Sequence, residues 1–147
     1  MSIPPPNRDP SIDPTSAQVR DLRDNGPEGP VTMLNLLKFR DIANYPEGSE
    51  HAGCTGPEAY ARYQHCFTVS VGAVSQAVVL YDGPVMRTFI GDAQANDWDH
   101  MLIVRYPSRR HFLAMMADEG YKAGLVHRWA GLERTLLLQC GEGKLAG

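Results

Sequence analysis

Asn35 interrupts an apolar run and His127 stands directly before Arg128, and these are the positions in the chain best suited to oxyanion and proton chemistry. An amide held on a strand can donate to a carbonyl or enolate oxygen, as oxyanion stabilisers do. It serves equally well in a bulge or edge hydrogen bond, because a buried amide must be satisfied wherever it points. Imidazole is the side chain best tuned to move a proton near neutrality, and an adjacent guanidinium favours its neutral, basic form. Capping of a helix C-terminus is the competing use of the His127-Arg128 pair. Asn35 and His127 are therefore the candidate catalytic residues.

Candidate substrate-binding residues are Arg105, Tyr60, Tyr63, Trp98 and Arg128. Arg105 shares strand parity with Asp99, but about 20 Å of strand at ~3.3 Å per residue separates the two, too far for a pair. A guanidinium grips a carboxylate bidentately, either an acidic substrate group or a helix carboxylate such as Asp118 or Glu119. Tyr60 and Tyr63, three residues apart, share a helix face from which phenols either enter a cavity or pack as core amphiphiles. Trp98 forms an aromatic wall or plain core. Lys38 lies on the parity opposite Asn35, near a strand end, solvent-facing or salt-bridged. The remaining histidines, His51, His65, His100 and His111, form no HxH or HExxH spacing. Cys54, Cys66 and Cys140 form no CxxC, so neither a metal nor a cofactor is expected. Nucleophile elbows, phosphate-binding glycine loops and paired catalytic carboxylates are also lacking.

The elements that must carry these residues are legible from periodicity. Residues 1–13 are proline-rich and read as a flexible arm. Asp13 as N-cap and Pro14 in the first turn open a short helix to Asp24, which stops at Asn25-Gly26-Pro27. Val31 to Phe39 is long and apolar enough for a central strand. A loop without periodicity fills residues 40–56, and the helix after Pro57 places Tyr60, Tyr63, Cys66 or Phe67, and Val71 on one face. Ala77–Tyr81 and Val85–Ile90 are strand-like, and Asp82-Gly83-Pro84 between them is either a hairpin turn or a bulge in one long bent strand, the bent strand being preferred. Trp98 to Tyr106 is a further strand. Ser108 caps a helix to about Ala117, Tyr121 to Trp129 forms a second helical piece, and Arg134 to Cys140 a last strand. Residues 142–147 are a flexible tail, which leaves one domain over 14–141.

A net charge of −3 over 147 residues offers no general attraction to nucleic acid. The odd cysteine count fits a reducing, cytoplasmic setting. The proline-rich N-terminus lacks the apolar core of a signal peptide, and nothing approaches a membrane span of about 18 apolar residues. Helix, then β-α-β-β-α-β, is the α+β ferredoxin-like plan with an extra N-terminal helix, its helices on one sheet face. The other face is left uncovered, and at about 25 cal/mol per Å² of exposed apolar surface the natural remedy is a second copy of the chain, so a homodimer is expected.

The segments MLNLLKFR at 33–40, GPEAYARY at 56–63, WD at 98–99, VRYPSRRHFLAM at 104–115 and HR at 127–128 resemble the domain-of-unknown-function family numbered thirteen-thirty, of the dimeric α/β-barrel superfamily. The resemblance covers roughly Ile12 to Cys140. This chain departs from it at Leu80-Tyr81-Asp82-Gly83, where such sequences often carry Trp-Arg-Gly. The resemblance implies a dimer whose sheets face each other, with a cavity in each subunit between sheet and helices or loops. Superfamily relatives include cofactor-free monooxygenases, muconolactone-type isomerases, haem-degrading enzymes and haem peroxidases, and fold does not choose among them. The reading that follows is a protein that binds a small oxygenated or acidic organic molecule and acts on it without a cofactor. A non-catalytic ligand-binding or structural dimer module is the alternative, and haem handling through His127 a third.

Overall fold

The computed structural model describes residues 9–70 and 72–144. Helix α1 (Ser16–Asn25) precedes strand β1 (Val31–Phe39). Thr15 caps α1 in place of Asp13. Its hydroxyl accepts from the Gln18 N–H at 3.1 Å, and the Gln18 side chain accepts from the Thr15 N–H at 2.8 Å, a reciprocal capping box. Asp13 is drawn instead into the interior, where it is 8% exposed. After a long loop come α2 (Gly56–Ser70), the one-turn α3 (Gly72–Ser75) and β2 (Val78–Pro84). Strand β3 (His100–Tyr106), helices α4 (Arg109–Ala117) and α5 (Glu119–Gly131), and strand β4 (Leu132–Cys140) complete the chain. Ser108 caps α4 as its sequence position implies, accepting from the His111 N–H. Val71, expected on the inner face of α2, lies outside the described residues, as do residues 1–8 of the expected arm and 145–147 of the expected tail.

The strands form one antiparallel sheet in the order β2-β3-β1-β4. β1 and β2 flank β3, and β3 and β4 flank β1, so each βαβ unit is split by a strand of the other, the ferredoxin-like arrangement. The expected bent strand through residue 90 ends at Pro84. Proline cannot donate to a ladder, and β3 offers no partner beyond the Pro84↔His100 pair. The bulge falls between Val79 and Tyr81 rather than at Asp82-Gly83-Pro84. Met86, Phe89 and Ile90 consequently sit exposed in a loop.

The two faces of the sheet differ sharply. Val31, Met33 and Leu37 of β1, with Val104 and Tyr106 of β3, point toward the helices and are buried. On the opposite face, Leu34 and Leu36 align with Ile103 and Met101 of β3 and with Leu138 and Leu136 of β4. Leu136, Leu138, Val78 and Tyr81 are exposed there. No helix covers this face among the described residues.

Helices α2 and α5 lie antiparallel, and glycines set their approach. A side chain at Gly131 would meet the Gly56 carbonyl at 2.6 Å, and one at Gly124 would meet Cys66 Cβ at 2.9 Å. The 40–56 loop docks on their outer side. The Arg40 and Asn44 N–H groups donate to the Gly131 and Ala130 carbonyls at 2.9 and 2.8 Å, which satisfies carbonyls that the end of α5 leaves without intrahelical partners. Ala43, Ala59 and Ala130 form a small buried cluster beneath it.

Candidate functional site

Between the sheet and helices α2 and α5 the core divides in two. Val31, Met33, Val104, Tyr106 and Met115 form one part, and Ile12, Leu37, Tyr60 and Leu132 the other. Asn35 sits on the helix-facing side of β1 between Met33 and Leu37, which are 2% and 1% exposed, yet Asn35 itself is only part-buried. Its register neighbours are Leu102, also part-buried, and Leu137, exposed at the β4 edge. Asn35, Leu102 and Leu137 are thus less buried than Met33, Leu37 and Val104 around them on this face of the sheet. Tyr63 packs on one core and Tyr121 on the other, with ring centroids 6.0 Å apart, so the two rings bridge the division. A file of rings runs on from Tyr63 to Tyr60 at 5.2 Å, Phe39 at 5.4 Å and His100 at 6.2 Å, and His100 pairs closely with Asp82.

Asn35 Nδ2 donates to the Leu102 carbonyl at 3.1 Å and to the Met33 carbonyl at 3.4 Å. Both partners are oxygens, so the amide nitrogen faces the backbone, and Oδ1 has no partner among the described residues. The hydrogen-bonding capacity left to Asn35 is therefore that of an acceptor. The donor orientation that an oxyanion stabiliser needs is committed to the strand. Burial pushes Tyr60 up to about 12, with Tyr121 and Asp82 adding to the rise and Arg128 opposing it. Burial, together with Tyr121 and Tyr60, raises Tyr63 well above the usual phenol range. Both remain protonated across physiological pH.

Arg128 shares this layer, but its charge is already engaged. Nη1 donates to Asp13 Oδ1 at 3.0 Å and Nη2 to the Ile12 carbonyl at 2.7 Å, with side chains 13% and 6% exposed. Trp129 Nε1 donates to the same Asp13 oxygen, and Asp13 Oδ2 is buried with no partner among the described residues.

The structure separates the other sequence candidates from this layer. His127 precedes Arg128 but points to the outer side of α5, where Nδ1 lies 2.7 Å from Tyr45 Oη. Arg105 is on the uncovered sheet face and pairs with Glu142 at 3.0 Å, in place of Asp118 or Glu119. Trp98 stands at one end of the sheet with the Arg134 guanidinium 4.3 Å above its ring. Lys38 is salt-bridged there to Asp97 and Asp99. Sequence reasoning missed Tyr121, although its seven-residue spacing to Arg128 places both on one helix face. It also missed Asp13, whose position before Pro14 suggested a cap, and nothing in the sequence pointed to Asp82 as the partner of His100.

The sheet order and helix placement define a ferredoxin-like α+β protein. The chain resembles solved structures of this class, among them the methylated RPA0582 protein, with 38% identity over 90% of this chain and 95% of that one and a TM-score of 0.78. A second structure of RPA0582, a protein of unknown function from Rhodopseudomonas palustris, matches at 34% identity over 91% and 98% of the two chains, with a TM-score of 0.77. The chain belongs to the family of RPA0582. A dabb family protein with a ferredoxin-like fold from Mesorhizobium loti shares the fold at 9% identity and a TM-score of 0.50, over 79% of this chain and 99% of that one. No protein-family model and no curated protein matches the chain, so the resemblance to family thirteen-thirty is not confirmed by a family match. No helix among the described residues is long and apolar enough to cross a membrane.

Proposed function

We propose that the chain binds a small oxygenated organic molecule in the slot between the sheet and helices α2 and α5. The observation that carries this reading is the part-buried Asn35, set between two sealed core residues of a central strand, whose Oδ1 has no partner among the described residues. Apolar pockets with a few convergent polar groups are the usual form of small-molecule sites. In this proposal Asn35 supplies the acceptor from the sheet side, and the protonated phenols of Tyr60 and Tyr63 supply the donors from α2. That set suits a ligand bearing both a hydroxyl or enol and a carbonyl or carboxyl oxygen. On this reading Tyr60 and Tyr63 orient the ligand, Arg128 holds the ring file in place through Asp13, and the chemistry within reach is proton transfer of the isomerase or cofactor-free monooxygenase kind. His127 takes no part at this slot. A thermal-shift screen of hydroxy acids, hydroxyketones and phenols tests the reading. Hits should raise the Tm of the native chain and leave Asn35→Leu unmoved; equal shifts in both would remove Asn35 from the site.

The functional unit in this proposal is a homodimer joined through the uncovered sheet face. The support is the contiguous apolar set Leu34, Leu36, Ile103, Leu136 and Leu138 on that face, which no helix covers among the described residues, since contiguous apolar surface marks interaction sites.

A further inference from the structure

On the outer side of α2 and α5 the docked loop assembles a second polar cluster. Tyr45 Oη lies 2.7 Å from His127 Nδ1 and accepts from Arg62 Nη1 at 3.2 Å. The rings of Tyr45, His51 and His127 meet pairwise with centroids 5.1 to 5.6 Å apart. The Tyr45 hydroxyl thus joins the Arg62 guanidinium to the His127 imidazole. Burial, with His51 and Arg62, holds His127 below the ordinary imidazole range.

Arg62 also donates to Cys54 Sγ at 3.2 Å but has no carboxylate partner among the described residues. Its Nε and Nη2 donate to no group among them. The one carboxylate within ion-pair range of this cluster among the described residues is Glu50, 3.5 Å from His51 Nε2 and 87% exposed. A cation with spare donors thus stands beside two imidazoles. Tyr45 also lines an open groove of about 270 Å³, whose other walls are Asn44, Pro46, Val126 and Trp129. Small-molecule sites run from about 300 Å³ upward, so this groove suits a single ring.

We infer that the groove is a binding site for a small carboxylate with a flat apolar body. The carboxylate is held at the groove's edge by Arg62, which meets the lining residue Tyr45, and the ring lies along Trp129, Val126 and Pro46. Guanidinium to carboxylate is the strongest polar match the cluster offers. The site is separate from the slot beneath α2 and α5, and it uses the one sequence-selected imidazole that the slot leaves unused.

The test is imidazole-resolved NMR of the full chain titrated with sodium benzoate, with benzyl alcohol as the uncharged counterpart. Benzoate should shift the His127 and His51 signals saturably and raise the titration midpoint of His127, and benzyl alcohol should bind at least 10-fold more weakly. Arg62→Gln should weaken benzoate at least 10-fold, with Arg62→Lys retaining part of the affinity. Val126→Asp, which sets a like charge in the groove wall without touching the Arg62 hydrogen bonds, should abolish binding even if Arg62→Gln fails to fold. Unmoved histidine signals, equal binding of benzoate and benzyl alcohol, or undiminished affinity in Val126→Asp would overturn the inference.

Discussion

At the residue scale, the polar groups of this protein are decided by which oxygen or nitrogen is already spent. Asn35 illustrates the limit of sequence: its place in a central strand was legible, but whether it offers a donor or an acceptor depends on the Leu102 and Met33 carbonyls, which only the folded sheet supplies. His127 and Arg128 make the same point. Neighbours on a helix diverge by about 100°, so adjacency in sequence sent one to the outer loop and the other to the buried Asp13. Arg128→Met should cost about 3–5 kcal/mol, because it strands a buried carboxylate, whereas replacing Arg128 and Asp13 together by apolar residues should cost less than the single change; urea unfolding measures both. His127 gives a pH prediction. Its folded-state pKa lies below the unfolded value, so its contribution is complete above the unfolded imidazole pKa of about 6.5 and is lost as pH falls through the folded one. Chemical denaturation from pH 8 to 5 should show a decline over that range that His127→Gln lacks.

At the element scale, strand β1, the Ser108 cap and the helices after it were legible because their periods and caps agree with one another. The segment Val85–Ile90 alternates as well as a strand does, but alternation does not reveal whether a partner strand exists. Beyond His100, β3 has none to offer, and the Asp99 carbonyl is taken by the Val85 N–H as a single turn contact. The 40–56 loop was the least legible element, since its order comes from α5 carbonyls and from Ala43 packing on Ala59 and Ala130. Tyr45, His51 and Arg62 were invisible as a group for that reason. The glycine contact between α2 and α5 yields a prediction here: Gly131→Ala, which drives a methyl group against the Gly56 carbonyl, should destabilise the chain by about 1–3 kcal/mol. Gly48→Ala has open space but a positive φ of 83°, so its cost should come from backbone strain alone, about 1 kcal/mol. Thermal unfolding of the two variants separates clash from strain.

At the scale of the whole molecule, the β-α-β-β-α-β order, read from the chain alone, carries a consequence that the coordinates express as an uncovered apolar sheet. Leu136→Asp places a charge on that face from the outer strand β4, opposite Leu36; if the proposed dimer forms through this face, the variant should sediment as a monomer while its circular dichroism spectrum stays unchanged. The two candidate sites lie on opposite sides of the α2 and α5 layer, and that separation was not readable beforehand, because it depends on which way each helix face turns. The central claim is the slot at Asn35. Native mass spectrometry of the protein purified from its own host, beside Asn35→Leu prepared in the same way, tests it most directly. A small oxygenated molecule should be retained by the native chain and absent from the variant; the same retained mass in both, or none in either, would contradict the assignment of the slot to Asn35.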